Sequence, residues 1–460
     1  MAPRTGNQSA VPEPAGVGTS NPLLDDDPTA VQRRAPFSTN PRVGARGLRA
    51  QQRMLDAALQ VFGEDGYHRC GVSRITQVAG CSRAAFYQYF SSKEDVFRQL
   101  AGQVARQLIA SAEALDTITP DGAGWATLHA WTVRHAAIYG RYEPVFRVFE
   151  SAAERDELVA AGAARVGARD VATLQARLPA TSLPSRHVAS VIALLLGVMA
   201  GTRRVASVLR SVLPPAALGS DRLDTALTDV VHRTLFGLNE AVNVHAASAL
   251  PQARSATALL ENLRTDAAPK EFSPSATRTL DLLLSTAHDV VIARGYHATR
   301  VDDITDAAGV SHGTFYQYFE NKHHLIRVLA ARTVDELAAA FDGIPTITST
   351  PAPSRSAALW DWLHSYNAAY ASHAAMIRVW IDGTADDPML RHEAAAALDW
   401  GRRRLVRFLR PRGFGDIEVE ALIMAALLDA LGEEQDNQVE AAALVIECGL
   451  LGIAPASTRG

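Results

Sequence analysis

The chain has little of what an exported, membrane-bound or metal-dependent protein is built on. Its 460 residues hold three cysteines, Cys70, Cys81 and Cys448. That is too few for a disulfide framework, and none stands at metal-ligand spacing from another, which suits a reducing compartment. Long apolar runs are missing. The longest, Val191 to Ala200, falls short of the about 20 residues that a bilayer requires. The opening residues MAPRTGNQSAVPEP carry no apolar signal core. A cytoplasmic location without a membrane partner is the expectation. A Gly-rich phosphate loop, an H-E-x-x-H pair and a nucleophile elbow are also missing. No catalytic residue, metal or cofactor is therefore expected, and the chain does not read as an enzyme. His323, His324 and the scattered carboxylates read as solvated helix-end residues. Strand-like alternation is absent as well, so both halves read as all-α.

What is present is a duplication. Ser82-Arg83-Ala84-Ala85-Phe86-Tyr87-Gln88-Tyr89-Phe90 returns 229 positions later as Ser311-His312-Gly313-Thr314-Phe315-Tyr316-Gln317-Tyr318-Phe319. Between Gly66–Lys93 and Gly295–Lys322, 15 of 28 positions match without a gap. The period is far too long for a solenoid and implies two copies of a whole protein. The repeat continues: Trp131 aligns with Trp362, Tyr139 with Tyr370, and Arg147-Val148 with Arg378-Val379. Val230–Gly237 lines up loosely with Val445–Gly452. The net charge of −4 hides a difference between the copies. Arg42–Arg106 has ten Lys/Arg against five Asp/Glu, whereas Lys270–Arg332 has seven against seven. Only the first copy has the basic balance that attracts phosphate.

In the first copy, apolar Leu48, Met54, Leu55, Ala58, Leu59 and Phe62 predict a helix from Arg46 to about Asp65, ended by Gly66. A short helix follows over Ser73–Ala79, then a turn at Gly80. Ser82 caps a third helix running through Phe90, and Ser92 caps a fourth from Lys93. Two short helices about a glycine turn make a helix-turn-helix, although one such pair alone equally describes a helical hairpin in any α-domain. The seam is Ile75, Val78, Ala79, Phe86 and Phe90. Left outside it are Arg83, Ala84, Ala85, Tyr87, Gln88 and Tyr89. That face is poor for water and good for a DNA groove, since it offers donors, acceptors and apolar contact to thymine methyls.

These motifs, Gly-Tyr, Val-x-x-Ile, Ala-Gly-x-Ser, Phe-Tyr-x-Tyr-Phe and a Lys three residues on, resemble the DNA-binding domain of TetR-family repressors in both copies. The resemblance implies base contacts from Arg83, Ala84 and Ala85 and from His312, Gly313 and Thr314, behind the capping Ser82 and Ser311. It implies base or phosphate contacts from Tyr87, Gln88, Tyr316 and Gln317. Tyr89 and Tyr318 would touch the DNA backbone, and Lys93 and Lys322 would grip phosphate near a helix N-terminus. Phe86 and Phe315 would be buried. The family's Thr or Ser before the Val of the second helix is replaced by Gly71 and by Arg300, so that capping contact is in doubt in both copies. The unlike triplets, Arg-Ala-Ala and His-Gly-Thr, point to unlike half-sites.

The expected organisation is a disordered tail over 1–40, in which Arg33 and Arg34 could serve as a DNA arm, and a first DNA-binding domain over 41–100. A helical effector and dimerisation body covers 101–246, and a Pro-marked linker covers 247–276 with a short helix at 259–263. A second DNA-binding domain spans 277–330 and a second body 331–456. Aromatic side chains stud both bodies, where the family binds a small effector. Trp131, His135, Tyr139 and Phe146, with Trp362, Tyr366, Tyr370 and Trp380, are the candidate contacts of a small apolar effector, although an aromatic stripe at helical spacing is more often core. His187–Leu213, apolar nearly all round, and Asp416–Leu431 read as the helices of a dimer interface. Tethering favours pairing of the two halves within one chain on double-stranded operator DNA. A homodimer carrying four DNA-binding units is the rival.

Overall fold

The computed structural model describes residues 44–454 except 154, 240–241, 243–257, 259–260, 264, 266–272, 297, 346–351, 372, 374–375, 378–379, 381–387 and 432–435. The expected tail, most of the linker and the Arg378-Val379 alignment lie outside the described residues. Of the linker, residues 258, 261–263 and 265 are helical, and Leu263 is buried.

The described residues are helical with no strand. In the first half, α1 (Ala45–Glu64), α2 (Val72–Ala79), α3 (Arg83–Tyr87) and α4 (Lys93–Glu113) form the N-terminal unit. On α1 the buried side chains include Met54, Leu55, Ala58, Val61 and Phe62, the helical stripe expected from the sequence. The body follows as α5 (Gly122–Ala153), α6 (Glu157–Ala176), α7 (Val188–Leu209) and α8 (Ser220–Phe236). Helix α5 breaks at Tyr142 (φ −110°, ψ 20°), two residues before Pro144. Proline lacks the N–H and crowds the preceding turn, which accounts for the kink. The second half repeats the plan. Its N-terminal unit is α9 (Pro274–Arg294), α10 (Val301–Ala308), α11 (His312–Tyr318) and α12 (Lys322–Asp342). Its body is α13 (Ala352–Ala371), α14 (Pro388–Leu409), α15 (Ile417–Asp429) and α16 (Asp436–Leu444), prolonged by a π-helical turn over Val445–Leu450.

Each N-terminal unit has its own small core. One centres on Phe62, Ile75, Phe86, Phe90 and Phe97, the other on Leu283, Ile304, Phe315, Phe319 and Leu325. The largest core belongs to neither half alone. It joins Val191, Leu195, Val198 and Val230 of the first half to Leu422, Ile423, Leu427 and Val445 of the second.

Helices α7 and α15 pack so closely that a Cβ on Gly201 would lie 3.2 Å from the Ala426 Cβ. Helix α8 crosses the π turn closer still: a Cβ on Gly449 would meet the Thr234 hydroxyl at 2.2 Å and the Val230 carbonyl at 3.0 Å. With the turn that precedes it, α7 forms a 25-residue stretch, Ser185–Leu209, long and apolar enough to cross a bilayer. The run Val191–Ala200 alone is shorter than the helix it belongs to. The composition follows from position, since α7 is packed against helices of both halves.

Charged pairs cross the same interface. Arg233, wholly buried, donates to Glu420 at 2.7 Å and to the Gly449 carbonyl at 2.7 Å. Arg222 forks onto Asp416 at 2.5 and 2.9 Å. Arg204 pairs with Asp429, and His187 lies 3.4 Å from Glu440.

Candidate nucleic-acid interface and ligand cavity

The helix-turn-helix is set by local chemistry. Gly80 and Gly309 sit in the left-handed region (φ 63° and 64°), where a side chain would be strained, and there the chain leaves α2 and α10. Ser82 then accepts from the Ala85 N–H at 3.1 Å, and Ser311 accepts from the Thr314 N–H at 3.1 Å. These caps start α3 and α11. Phe86 and Phe315 are fully buried and hold the recognition helices against the preceding helix.

The opposite face is open. Ser82, Arg83, Ala84 and Tyr87 are exposed and Ala85 and Gln88 half-buried; in the second unit Ser311, His312, Gly313, Tyr316 and Gln317 are exposed and Thr314 half-buried. Tyr87 and Tyr316 keep 38% and 55% of their surface exposed.

Three expectations change. The third helix stops at Tyr87 rather than at Phe90, and Tyr89 is buried against Phe90. Tyr89 therefore belongs to the core, whereas Tyr318, within the longer α11, is half-buried. The two lysines are already engaged. Lys93 donates to the Tyr67 carbonyl at 2.7 Å and lies 4.3 Å from the centre of that ring. Lys322 donates to the carbonyls of Tyr296 (2.6 Å) and Thr299 (2.8 Å) over the Tyr296 ring. Each ties the start of α4 or α12 to the loop after the first helix. An ammonium has three N–H donors, so two remain on Lys93 and one on Lys322. Burial lowers the pKa of Lys322.

The N-terminus of the second helix also differs between the units. Gly71 has no side-chain cap, whereas the Asp303 carboxylate accepts from the Arg300 N–H at 2.8 Å. Asp303 also pairs with Arg294. Its counterpart Arg74 pairs with Asp65 at 2.9 Å, and Asp65 is the counterpart of Arg294. The same bridge is thus built with its charges exchanged. The side-chain charge on α2 is +1 (Arg74), and on α10 it is −3 (Asp302, Asp303, Asp306). Asp302 pairs with His312 at the head of the second recognition helix.

The bodies also differ. The second encloses a cavity with about 900 Å³ of empty space, part of it open to solvent. Tyr366, Tyr370 and Trp380 line it, as does Trp400. Trp362 does not; its indole donates to the Ala340 carbonyl at 2.9 Å. Arg204, Val205 and Val208 of the first half complete the wall, and Asp429 accepts from both Arg204 and Tyr370 there. No spacing pattern could have found Arg204, because its partner is 225 residues away. In the first body a smaller space, about 350 Å³, is lined by Trp131 and aliphatic side chains. His135, Tyr139 and Phe146 lie outside it. Tyr139 stacks on Phe146 with centroids 4.8 Å apart. Burial, with Arg203 nearby, pushes the His135 pKa down to about 3, so it is a neutral core histidine.

With this geometry in hand, comparison with known proteins is specific about the N-terminal units. Residues 54–100 and 283–329 both match the family described as bacterial regulatory proteins, tetR family. Over 55 residues the chain is 46% identical to the HTH-type transcriptional activator FasR of Mycolicibacterium smegmatis, covering 12% of this chain and 25% of that one. It is 38% identical over 59 residues to the fatty acid metabolism regulator protein of Bacillus subtilis (12% and 30%). It is 30% identical over 101 residues to the HTH-type transcriptional repressor AcnR of Corynebacterium diphtheriae (21% and 53%). The chain thus spans about a quarter to a half of the length of these relatives.

Proposed function

The chain belongs to the tetR family in a tandem form, with two such units in one polypeptide, and from that premise we propose that it is a cytoplasmic DNA-binding regulator whose halves pair within the chain on an asymmetric operator. It acts as a repressor released by a small apolar effector. The observation that carries the reading is the joining of two exposed recognition faces to one shared core, in which α7 and α8 pack on α15 and the π turn.

Charge supports the pairing of unlike halves. In all four pairs named above the base comes from the first half and the acid from the second. A like pair of halves would face base to base or acid to acid. On DNA the two recognition helices would enter successive major grooves, about 34–36 Å apart. An effector changes operator affinity only by binding the DNA-competent and released states unequally. The unlike triplets Arg83-Ala84-Ala85 and His312-Gly313-Thr314 assign the two half-sites different sequences. Footprinting on the DNA upstream of the chain's own gene, with light scattering of the free protein, tests the reading. A protected asymmetric site bound by a monomeric chain supports it. Absence of any sequence-specific footprint, or a stable dimer of chains, sinks it.

One observation favours a second reading, in which only the first unit reads bases. Asp302 occupies His312, and α10 carries three carboxylates where phosphates would approach. Arg83→Ala with Tyr87→Ala, compared with His312→Ala with Tyr316→Ala, separates the two. Equal losses of operator affinity exclude the one-unit reading.

A further inference from the structure

We infer that the chain takes up one ligand rather than two, in the cavity of the second body, and that this ligand is a neutral apolar molecule carrying a hydrogen-bond acceptor such as a carbonyl. The inference rests on the effector-responsive reading above and narrows it to one site and one ligand chemistry. The cavities are unequal. The second body's holds about 900 Å³ of empty space, part of it open to solvent, against about 350 Å³ for the first body's.

The acceptor is called for by an orphan donor. The Trp380 indole N–H is buried, has no partner among the described residues, and belongs to a side chain in the cavity wall. Buried donors are almost always satisfied, so this one, covered from water in the wall of a cavity, meets a ligand acceptor once the ring turns toward the space. Tyr366 lines the same cavity, and burial raises its pKa, so it offers a second O–H donor.

Neutrality follows from the polar end of the cavity. Asp429 accepts from Arg204 and Tyr370, and Arg402, also in the wall, pairs with Asp399 and Glu418, so acid and base offset each other there and no counter-charge is demanded. Arg204, Val205 and Val208 come from α7 of the first half. The site is therefore complete only when the halves are paired, and a molecule bound there touches both. A duplicated protein that kept two equivalent sensors would not show this inequality.

The test uses the full chain and the fluorescent ketone 6-propionyl-2-dimethylaminonaphthalene, with 2-ethylnaphthalene as a competitor lacking the carbonyl. One saturable ketone site per chain is expected. Trp380→Phe keeps an aromatic ring and removes the donor; it should weaken the ketone about fivefold to tenfold and leave 2-ethylnaphthalene competition unchanged. If Trp380→Phe does not fold, Tyr366→Phe makes the same comparison. Two equivalent sites per chain, no ketone binding at roughly 100 µM, or equal weakening of both molecules would overturn the inference. The titration needs no DNA. A failed footprint would sink the regulator reading and leave this site standing, and a failed titration would remove the site alone.

Discussion

Glu420→Gln is the perturbation that most directly questions the shared core. Glu420 is wholly buried between two arginines from different elements. Arg233 of the first half reaches its Oε2 at 2.7 Å and Arg412 of the second reaches the same oxygen at 2.5 Å. Both guanidiniums lie beside the Phe414 ring, with 5.3 and 4.6 Å to its centre. Two guanidiniums thus share the Glu420 carboxylate, and Asp416 also acts on Arg412. Burial lowers the pKa of Arg412, although Glu420 opposes that shift. Removing the only carboxylate of the three leaves two buried cations facing each other, the situation in which breaking a buried pair costs about 3–5 kcal/mol.

Arg233→Met should cost less, about 1–3 kcal/mol, because Glu420 keeps Arg412 and the chief loss is the donor to the Gly449 carbonyl. Urea unfolding followed by circular dichroism measures both. The same experiment reports on tethering. If the halves pair within one chain, the unfolding midpoint is independent of protein concentration across about a hundredfold range, whereas pairing between chains makes it rise with concentration. A cost below about 1 kcal/mol for Glu420→Gln, an equal cost for Arg233→Met, or a moving midpoint would each refute the account.

Three further outcomes are expected. Asp302→Asn with Asp306→Asn should tighten operator binding about threefold to tenfold at low salt, with the gain closing as salt screens the phosphates; an unchanged Kd at low salt would show that α10 does not approach DNA. Burial raises the Asp170 carboxyl to about 6, so the folded protein holds that proton where the unfolded chain has lost it. Its contribution to stability therefore falls as pH rises from about 4 to 6. Asp170→Asn should stabilise by about 1–3 kcal/mol at pH 7.5 and by much less at pH 4.5, and an equal gain at both would contradict the titration. Gly449→Ala should destabilise by about 1–3 kcal/mol because a Cβ there meets Thr234 and the Val230 carbonyl, while Gly197→Ala, with open space around it, should be neutral or slightly stabilising; equal thermal shifts would deny the close crossing.

Much of the N-terminal unit was legible because its determinants are local. A left-handed glycine, a capping serine three residues before the N–H it serves and a Phe at fixed spacing all lie within a dozen residues. Tyr89 was misread because the exposed face depends on where α3 stops, and it stops at Tyr87. The carbonyls that hold Lys93 and Lys322 lie 23 to 26 residues away, across a loop, where spacing carries no information. In the bodies the aromatic stripe was visible but its use was not. Tyr139 and Tyr370 align in sequence, yet Tyr139 stacks on Phe146 while Tyr370 lines a cavity. That difference is made by packing between elements, including one helix from the other half.

The exchanged bridge and the polarised interface show what duplication in one chain permits. A protein that pairs with its own copy has an isologous interface, in which each substitution acts twice and every contact must tolerate its mirror image. Within each N-terminal unit the bridge Arg74–Asp65 and its reversed counterpart Asp303–Arg294 have drifted without loss, since both partners lie in the same half. Across the interface the mirror constraint is gone. Arg204, Arg222 and Arg233 meet Asp429, Asp416 and Glu420, and the loosely aligned counterpart of Arg233 is the uncharged Cys448. Pairing of two first halves would bury arginines without carboxylates, at several kcal/mol for each uncompensated charge. The same freedom lets one recognition helix begin with Arg83 and the other with His312, and one body hold a larger cavity than the other. Unlike recognition triplets and unequal cavities are thus two expressions of one physical change, the release of the halves from having to match each other.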